Sequence, residues 1–279
     1  MSLHKDLIGS HPTAPNVFER WLDCSDIEPT GARCHRALTS KLPVTDPALI
    51  QWLAERLVHH HYDHTRIDRL KQKYRDVGFP EYAEQHRNLP RADKTKKGNA
   101  TEILLIEYIE GCQGKQLVKT FKLRYNPNVD QAIKGDDTLM VDIITDDKGI
   151  DRLKIFLGEA KFRATPVKKV IDDISDSLGK DKLPLSYSFL INELSRDSTT
   201  IAVADLLDKF LIREIKSKGD IIYTGLLLSN THASTVVERH LTTDNPELIF
   251  ISAGMDSPQT LINEAFIQAE ALITNPLAL

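Results

Sequence analysis

The chain has 279 residues, an apolar fraction of 41%, a charged fraction of 27% and a formal net charge of −4. These values are typical of a protein with an ordinary hydrophobic core, and they exclude a largely disordered chain. No apolar run approaches the roughly 20 residues that span a bilayer, and the first residues lack the layout of a signal peptide. We therefore expect a cytoplasmic protein that makes no membrane contact.

The charged residues are unevenly distributed along the chain. Residues 66–97 contain ten Lys or Arg and five Asp or Glu, whereas residues 197–279 contain five and eleven. Solvated helix faces explain this asymmetry as well as binding surfaces do.

The cysteines, Cys24, Cys34 and Cys112, have no metal-ligand spacing, so we expect reduced thiols.

The first 97 residues are predicted to form a mostly helical region. The stretch DPALIQWLAERLVHHHY has apolar residues at helical spacing, and Asp46 or Thr45 can cap its N-terminus. Breaks at Pro80, at Pro90 and in the run RADKTKKGN then place a domain boundary between residues 97 and 98.

The second part, residues 98–279, has a denser pattern. It begins with a helix, GNATEILLIEYIEG, which Asn99 can cap and Gly111 can end. Three predicted strands then form a β-meander, and a helix capped by Thr165 follows them. The strands are KQLVKTFKLRY, DTLMVDIIT and DRLKIFLGEAKF, and the helix is TPVKKVIDDISDSLG.

The rest of this part is predicted to complete the sheet. A helical insertion at about 185–217 precedes two apolar strands and a closing helix; these are DIIYTGLLLSN, PELIFISAG and PQTLINEAFIQAEALI. The order of elements predicts an α/β or α+β sandwich with a mixed central sheet.

Two charges stand at the end of the third strand. Glu159 and Lys161 are two residues apart, so they point to the same face. The second and third strands are predicted to form a hairpin, which would place Asp137 or Asp142 across from Glu159. Two carboxylates and the backbone carbonyl of Ala160 would offer Mg²⁺ the oxygen ligands it prefers, with Mn²⁺ as an alternative.

Such a site suits phosphodiester hydrolysis. The metal stabilises charge on the phosphate and lowers the pKa of a bound water, while Lys161 can orient that water. Glu102, on the first helix of this part, is a further candidate acid.

Each of these residues also has a structural explanation. Glu159 and Lys161 can be a surface ion pair worth about 0–1 kcal/mol. Glu102 lies three residues after Asn99 and can be part of a capping box. Asp136 and Asp137 can be turn residues, but Asp142 lies within a very apolar strand, where an unpaired carboxylate is costly.

The order of these elements and acids resembles the PD-(D/E)XK nuclease superfamily. KGDDTLMVDI followed by IFLGEAKF is more narrowly similar to the Hachiman antiphage HamA family, also known through AbpA proteins. The resemblance implies a restriction-endonuclease-like core in which Asp137, Asp142, Glu159 and Lys161 form the site and Glu102 matches the acid of the first helix. The Pro-Asp pair of the superfamily name is absent, which leaves Asp136, Asp137 and Asp142 as alternatives.

The resemblance implies a metal-dependent DNase that acts with a helicase partner, HamB. The net charge fits that expectation. A nuclease that acts alone needs a basic surface to bind DNA, and a chain with a formal charge of −4 is poorly equipped for this. A partner that supplies the DNA would remove that need. The alternative is a catalytically silent nuclease-fold subunit that binds a helicase or DNA as an adaptor.

A third hypothesis is a metal site in HHHYDH, residues 59–64. His60 and His64 share a helix face, as do His59 and Asp63. The Glu of a HEXXH zinc motif is missing, so a polar helix end or a contact with a partner or DNA is the alternative.

Overall fold

A computed structural model describes residues 2–77, 88–126, 128–131, 135–149, 151–210 and 221–274. The elements of the first part are α1 (Leu3–Ile8), α2 (Val17–Trp21), β1 (Leu22–Thr30), β2 (Arg33–Ser40), α3 (Pro47–His61) and α4 (His64–Val77). The next are α5 (Asp93–Gln113), β3 (Val118–Lys119), a 3-10 helix (Lys122–Tyr125), β4 (Thr138–Thr145) and β5 (Asp151–Phe162). The last are α6 (Lys168–Ser177), α7 (Tyr187–Leu194), α8 (Ile201–Asp208), β6 (Ile221–Ser229), α9 (Ala233–His240), β7 (Leu248–Gly254) and α10 (Pro258–Thr274).

The strands form one mixed sheet in the order β1-β2-β7-β6-β5-β4-β3. The neighbours from β2 through β7 and β6 to β5 are parallel, while β1 with β2, β5 with β4 and β4 with β3 are antiparallel. This mixed sheet flanked by helices confirms the predicted fold class. No helix in the described ranges combines the length and apolar character needed to cross a membrane.

The strongly periodic segments fold as predicted. The strands β4, β5, β6 and β7 and the final helix lie where alternation and apolar runs place them. Asp46 caps α3 as expected, because its Oδ1 accepts a hydrogen bond from the Leu49 N–H at 2.8 Å.

The hairpin of β1 and β2 is absent from the sequence prediction. Its strands carry many charged residues, among them the fully buried Arg36, whose guanidinium donates two hydrogen bonds to Asp26 at 2.6 and 2.9 Å. β2 pairs with β7, so the first 97 residues contribute to the same sheet as the rest. α5 also runs across the predicted boundary, and the two-part division stays a prediction.

The segment KQLVKTFKLRY is not the full strand that its alternation predicts. It contains the two-residue strand β3 followed by a 3-10 helix. Polar side chains of this segment contact half-buried groups elsewhere in the chain instead of lining a sheet face. Arg124 lies 3.8 Å over the Phe121 ring and donates to the His59 carbonyl at 2.7 Å.

α5 is longer than predicted at both ends. It begins at Asp93, so Asn99 lies inside the helix, where its buried side chain contacts His61 Nε2 at 2.9 Å. Glu102 therefore belongs to no capping box. The helix ends at Gly114, whose φ of 65° is left-handed, rather than at Gly111.

The helices that follow β5 differ slightly from the prediction. α6 begins at Lys168, and its cap residue Val167 makes no side-chain bond, so Thr165 is not the cap. The predicted insertion at 185–217 contains α7 and α8, and its residues from 211 onwards lie outside the described ranges, as does Pro80.

Two hydrophobic cores cover the two faces of the sheet. Phe156 packs on the face covered by α3, α5 and α10, whereas Leu157 packs on the face of α6 and α7. Gly158 lies where α5 approaches most closely, since an added Cβ would lie 2.1 Å from Thr138 Oγ1 and 2.8 Å from Leu105 Cδ2. The glycine of GEAK thus lets α5 and β4 meet at the end of β5.

Candidate active site

The ends of β4 and β5 bring two acids and a lysine together. The register pairs Thr138 with Gly158, so Asp137 stands beside Glu159. Asp137 Oδ2 accepts a hydrogen bond from the Ala160 N–H at 3.0 Å and lies 3.8 Å from Lys161 Nζ. Lys161 Nζ also forms an ion pair with Glu159 Oε1.

Glu102 reaches the same place from α5. Its Oε2 lies 2.9 Å from Lys122 Nζ, which also donates to the carbonyl oxygen of Asp136 at 3.0 Å. Lys122 therefore connects α5 to the turn before β4. We call Glu102, Asp137, Glu159 and Lys161 the carboxylate cluster.

The electrostatics of the cluster are those of acids held close together with limited water. The pKa of Glu102 is raised to about 7, chiefly by burial; Lys122 opposes this rise, and the charges of Asp137 and Glu159 add to it. Burial and Asp137 also raise the pKa of Glu159, against the effect of Lys161. Burial lowers the pKa of Lys161, but Glu159 and Asp137 outweigh it and the pKa is raised.

A small cavity of about 30 Å³ adjoins the cluster, large enough for a water or a small ion. Glu102, Lys122 and Asp137 contribute its polar wall, and Ile103 and Phe189 contribute to its apolar wall.

The donor set fits a hard cation. Among the described residues no group of three or more His, Cys, Asp or Glu is placed to hold a metal ion unaided. Mg²⁺ needs fewer protein ligands, because it binds through one or two carboxylates and keeps several waters. Burial, and after it repulsion from Asp137, raises the pKa of Glu159, and a bound cation would relieve that repulsion.

The structure does not bring Asp142 to this cluster. Asp142 is paired in register with Lys154, four residues beyond Thr138 and about 13 Å along the strand. It points to the opposite face from Val141, and its Oδ1 forms an ion pair with Lys115 Nζ at 2.7 Å. The costly buried acid of LMVDII is therefore explained by a local partner.

Asp136 adjoins the cluster but has a different set of partners. Its Oδ2 accepts a hydrogen bond from the Ser186 N–H at 2.9 Å, and its Oδ1 lies 3.7 Å from Lys182 Nζ. Asp136 thus fastens the start of α7 to the turn before β4. Of the alternative aspartates, Asp137 is the one beside Glu159.

A family model described as HamA matches residues 15–269 of the chain. The chain belongs to the HamA family. It is also 37% identical over 279 residues to the Hachiman protein HamA of Bacillus cereus, and the match covers 97% of each chain.

Membership of the HamA family confirms the resemblance drawn from KGDDTLMVDI and IFLGEAKF. It places the chain among the HamA proteins of the Hachiman antiphage defence system. Assignment to the PD-(D/E)XK superfamily remains a prediction.

The histidines of this HamA-family chain do not form a shared metal site within the described residues. His60 Nε2 contacts Glu107 Oε1 at 2.8 Å, and His61 Nδ1 contacts the Leu57 carbonyl at 2.7 Å. The ring of His59 packs against Phe121, and the side chain of His64 lies outside the described part of the chain. Burial lowers the pKa of His59 and of His61 to about 4, so both are neutral at physiological pH.

Three residues next to the cluster escaped the sequence prediction. Lys122, Lys182 and Ser186 come from segments with no motif, and only the tertiary contacts with Glu102 and Asp136 single them out. The segment that contains Lys122 has alternating polar and apolar residues, and this pattern predicts a strand. It gives no indication that Lys122 contacts Glu102.

Proposed function

We propose that this HamA-family protein is the effector nuclease of a Hachiman system and hydrolyses DNA phosphodiester bonds with the help of Mg²⁺, or of Mn²⁺ in its place. The observation that supports this most is the convergence of Asp137, Glu159 and Lys161 at the ends of two paired strands, with Glu102 facing them. Two acids and a lysine in this arrangement are what a metal-assisted hydrolase requires.

Asp137, Glu159 and the Ala160 carbonyl would hold the metal. The N–H of Ala160 donates to Asp137, and the carbonyl of a strand residue faces the same strand edge as its N–H, so these oxygens share one edge of β5. When bound, Mg²⁺ stabilises charge on the phosphate and activates a bound water. Asp142 has no part in this assignment, because it lies in the middle of β4, about 13 Å along the strand from Thr138 and paired with Lys115.

Lys161 and Glu102 would serve the attacking water. Lys161 Nζ lies between Asp137 and Glu159 and can donate a hydrogen bond that orients the water. Glu102 has a pKa of about 7, so at neutral pH a large fraction of its carboxylates can accept a proton.

We also propose that a helicase partner of the HamB type delivers the DNA. The whole chain has a formal charge of −4, while affinity for DNA without sequence preference comes mostly from neutralising phosphates. A helicase that holds the DNA would supply the missing footprint. Strong, salt-sensitive binding of duplex DNA by the isolated chain would argue against this part of the proposal.

The test is plasmid degradation by the chain together with its helicase partner, with Mg²⁺, with Mn²⁺ and with a chelator. We expect cleavage by the wild type and its loss in Asp137→Ala, Glu159→Ala and Lys161→Ala. Asp142→Asn is the matched control, since it removes an acid of the same hairpin that has its own ion pair with Lys115. Equal cleavage by all five proteins would overturn the proposal.

One observation supports the adaptor alternative. Lys161 Nζ pairs with both Asp137 and Glu159, so a lysine already offsets the charge that a metal would neutralise. If the complex degrades no DNA with either metal but the chain still binds the helicase, the adaptor function is the better account.

A further inference from the structure

Two aromatic rings are exposed beside the carboxylate cluster. Tyr125, at the end of the 3-10 helix, is 52% exposed, and Phe189, on α7, is 37% exposed. Their ring centroids are 6.1 Å apart with an interplanar angle of 82°, an edge-to-face arrangement. Leu185, four residues before Phe189, is 70% exposed.

These rings are contiguous with the candidate active site. Phe189 and Ser186 line the same cavity as Glu102, Lys122 and Asp137. The Ser186 N–H donates to Asp136, so α7 is anchored directly to the turn that carries Asp137.

Two cations, Lys182 and Arg196, lie next to this surface, and each is paired with an acid. Lys182 Nζ lies 3.7 Å from Asp136 Oδ1, and Lys182 is also close enough to lower the pKa of Glu159. Glu193, the acid on α7, is paired with Arg196 at 2.7 Å. Burial and a hydrogen bond from the Tyr125 hydroxyl to Glu193 raise the pKa of Tyr125, so this carboxylate also holds the Tyr125 ring in place.

We propose that Tyr125, Phe189 and Lys182 form a nucleotide-binding subsite that receives single-stranded DNA, with a base stacked on the exposed ring face and a phosphate at Lys182. Every base has a π-face that an aromatic side chain can stack against, and a basic groove can follow the backbone. In a duplex the bases are already stacked on each other, so the exposed rings have no free base face to stack against. This inference rests on the proposed nuclease function and names its substrate as the single strand.

The test measures binding to the full chain without metal, so that it does not depend on cleavage. The probe is a single strand of about 12 nucleotides containing 2-aminopurine, whose fluorescence falls on stacking, with a blunt duplex of the same sequence as comparison. The variants are Phe189→Ala, Tyr125→Ala and Lys182→Ala. Tyr125→Phe keeps the ring, and Ile267→Ala removes an exposed apolar side chain on α10.

We expect the wild type to bind the single strand with quenched fluorescence and to prefer it over the duplex. Each ring deletion is expected to weaken single-strand binding by about tenfold and to remove the quench, with duplex binding changed by less than about twofold. Lys182→Ala should weaken binding and reduce its salt dependence. Tyr125→Phe and Ile267→Ala should behave as wild type.

Three results would overturn the subsite. They are a wild type that binds no single strand, ring deletions that leave the quench intact, and ring deletions that weaken both DNA forms equally. A surface that contacts only a protein partner would give the second result. If bases stack on the rings but the complex cleaves no plasmid, the subsite is supported and the nuclease proposal is refuted. If the complex cleaves plasmid but no base stacks on the rings, the nuclease proposal is supported and the subsite is refuted.

Discussion

Glu102 makes the stability of the protein depend on pH in a way that one substitution isolates. Its carboxyl has a pKa of about 7 in the folded protein, against an ordinary value of 4.5, because of burial and of the neighbouring Asp137 and Glu159. A raised pKa means that the folded state binds the proton more tightly than the unfolded state. Stability is therefore lost as the pH rises from about 4.5 to about 7.

The size of the loss follows from the pKa difference. A difference of one in pKa corresponds to about 1.4 kcal/mol, so ionising Glu102 in the folded state costs about 3 kcal/mol. This is an upper value, because 15% of the side chain is exposed to water. Glu102→Gln removes the titration while keeping the shape of the side chain.

The assay is urea unfolding of wild type and Glu102→Gln between about pH 4 and pH 8. We expect the difference in unfolding free energy, wild type minus variant, to fall by up to about 3 kcal/mol across that range. Titrating groups that do not interact with Glu102 cancel in the difference because both proteins contain them.

Glu107, on the same helix, is the matched control with the opposite sign. Burial raises its pKa, but the hydrogen bond from His60 together with the charges of His60, Arg56 and Lys119 outweighs burial, and the pKa is lowered. The wild type minus Glu107→Gln difference should therefore be constant above the ordinary pKa of 4.5 and fall as the pH drops below it. A Glu102→Gln difference that is flat, or that rises with pH, would refute the electrostatic account of the cluster.

Packing and buried charge give two further predictions. Gly158→Ala should lower the free energy of unfolding by about 1–3 kcal/mol, because the added Cβ would overlap Thr138 Oγ1. Gly98→Ala, which has open space around it within α5, should raise the free energy of unfolding by about 0.5–1 kcal/mol. Urea unfolding of both variants measures the two changes, and equal effects would contradict the prediction. Arg36→Met should lower the free energy of unfolding by roughly 3–5 kcal/mol, because it leaves Asp26 without its partner. Adding Asp26→Asn should recover part of that loss. If the effects of the two substitutions on the free energy of unfolding are fully additive, the ion pair is not the cause.

Much of the fold could be predicted from local patterns. Alternation and continuous apolar runs mark β4 to β7, and α3 and α10 have helical spacing, because burial of a regular element imposes its period on the sequence. β1 and β2 were missed because an internal ion pair, Asp26 with Arg36, satisfies charges that local reasoning assigns to the surface. The segment with Lys122 was taken for a strand because alternation does not reveal side-chain partners elsewhere in the chain.

The candidate chemistry can be predicted from the amino-acid order alone: an acid-X-lysine element ending one strand, aspartates in the strand before it, and an acid on the preceding helix. Which of these side chains meet depends on the packing of the folded chain. The register of β4 against β5 places Asp137 beside Glu159, and the alternation of strand faces directs Asp142 to the opposite face, where it pairs with Lys115. Pairing partner and face depend on how distant segments pack, so no local pattern could choose between these two aspartates.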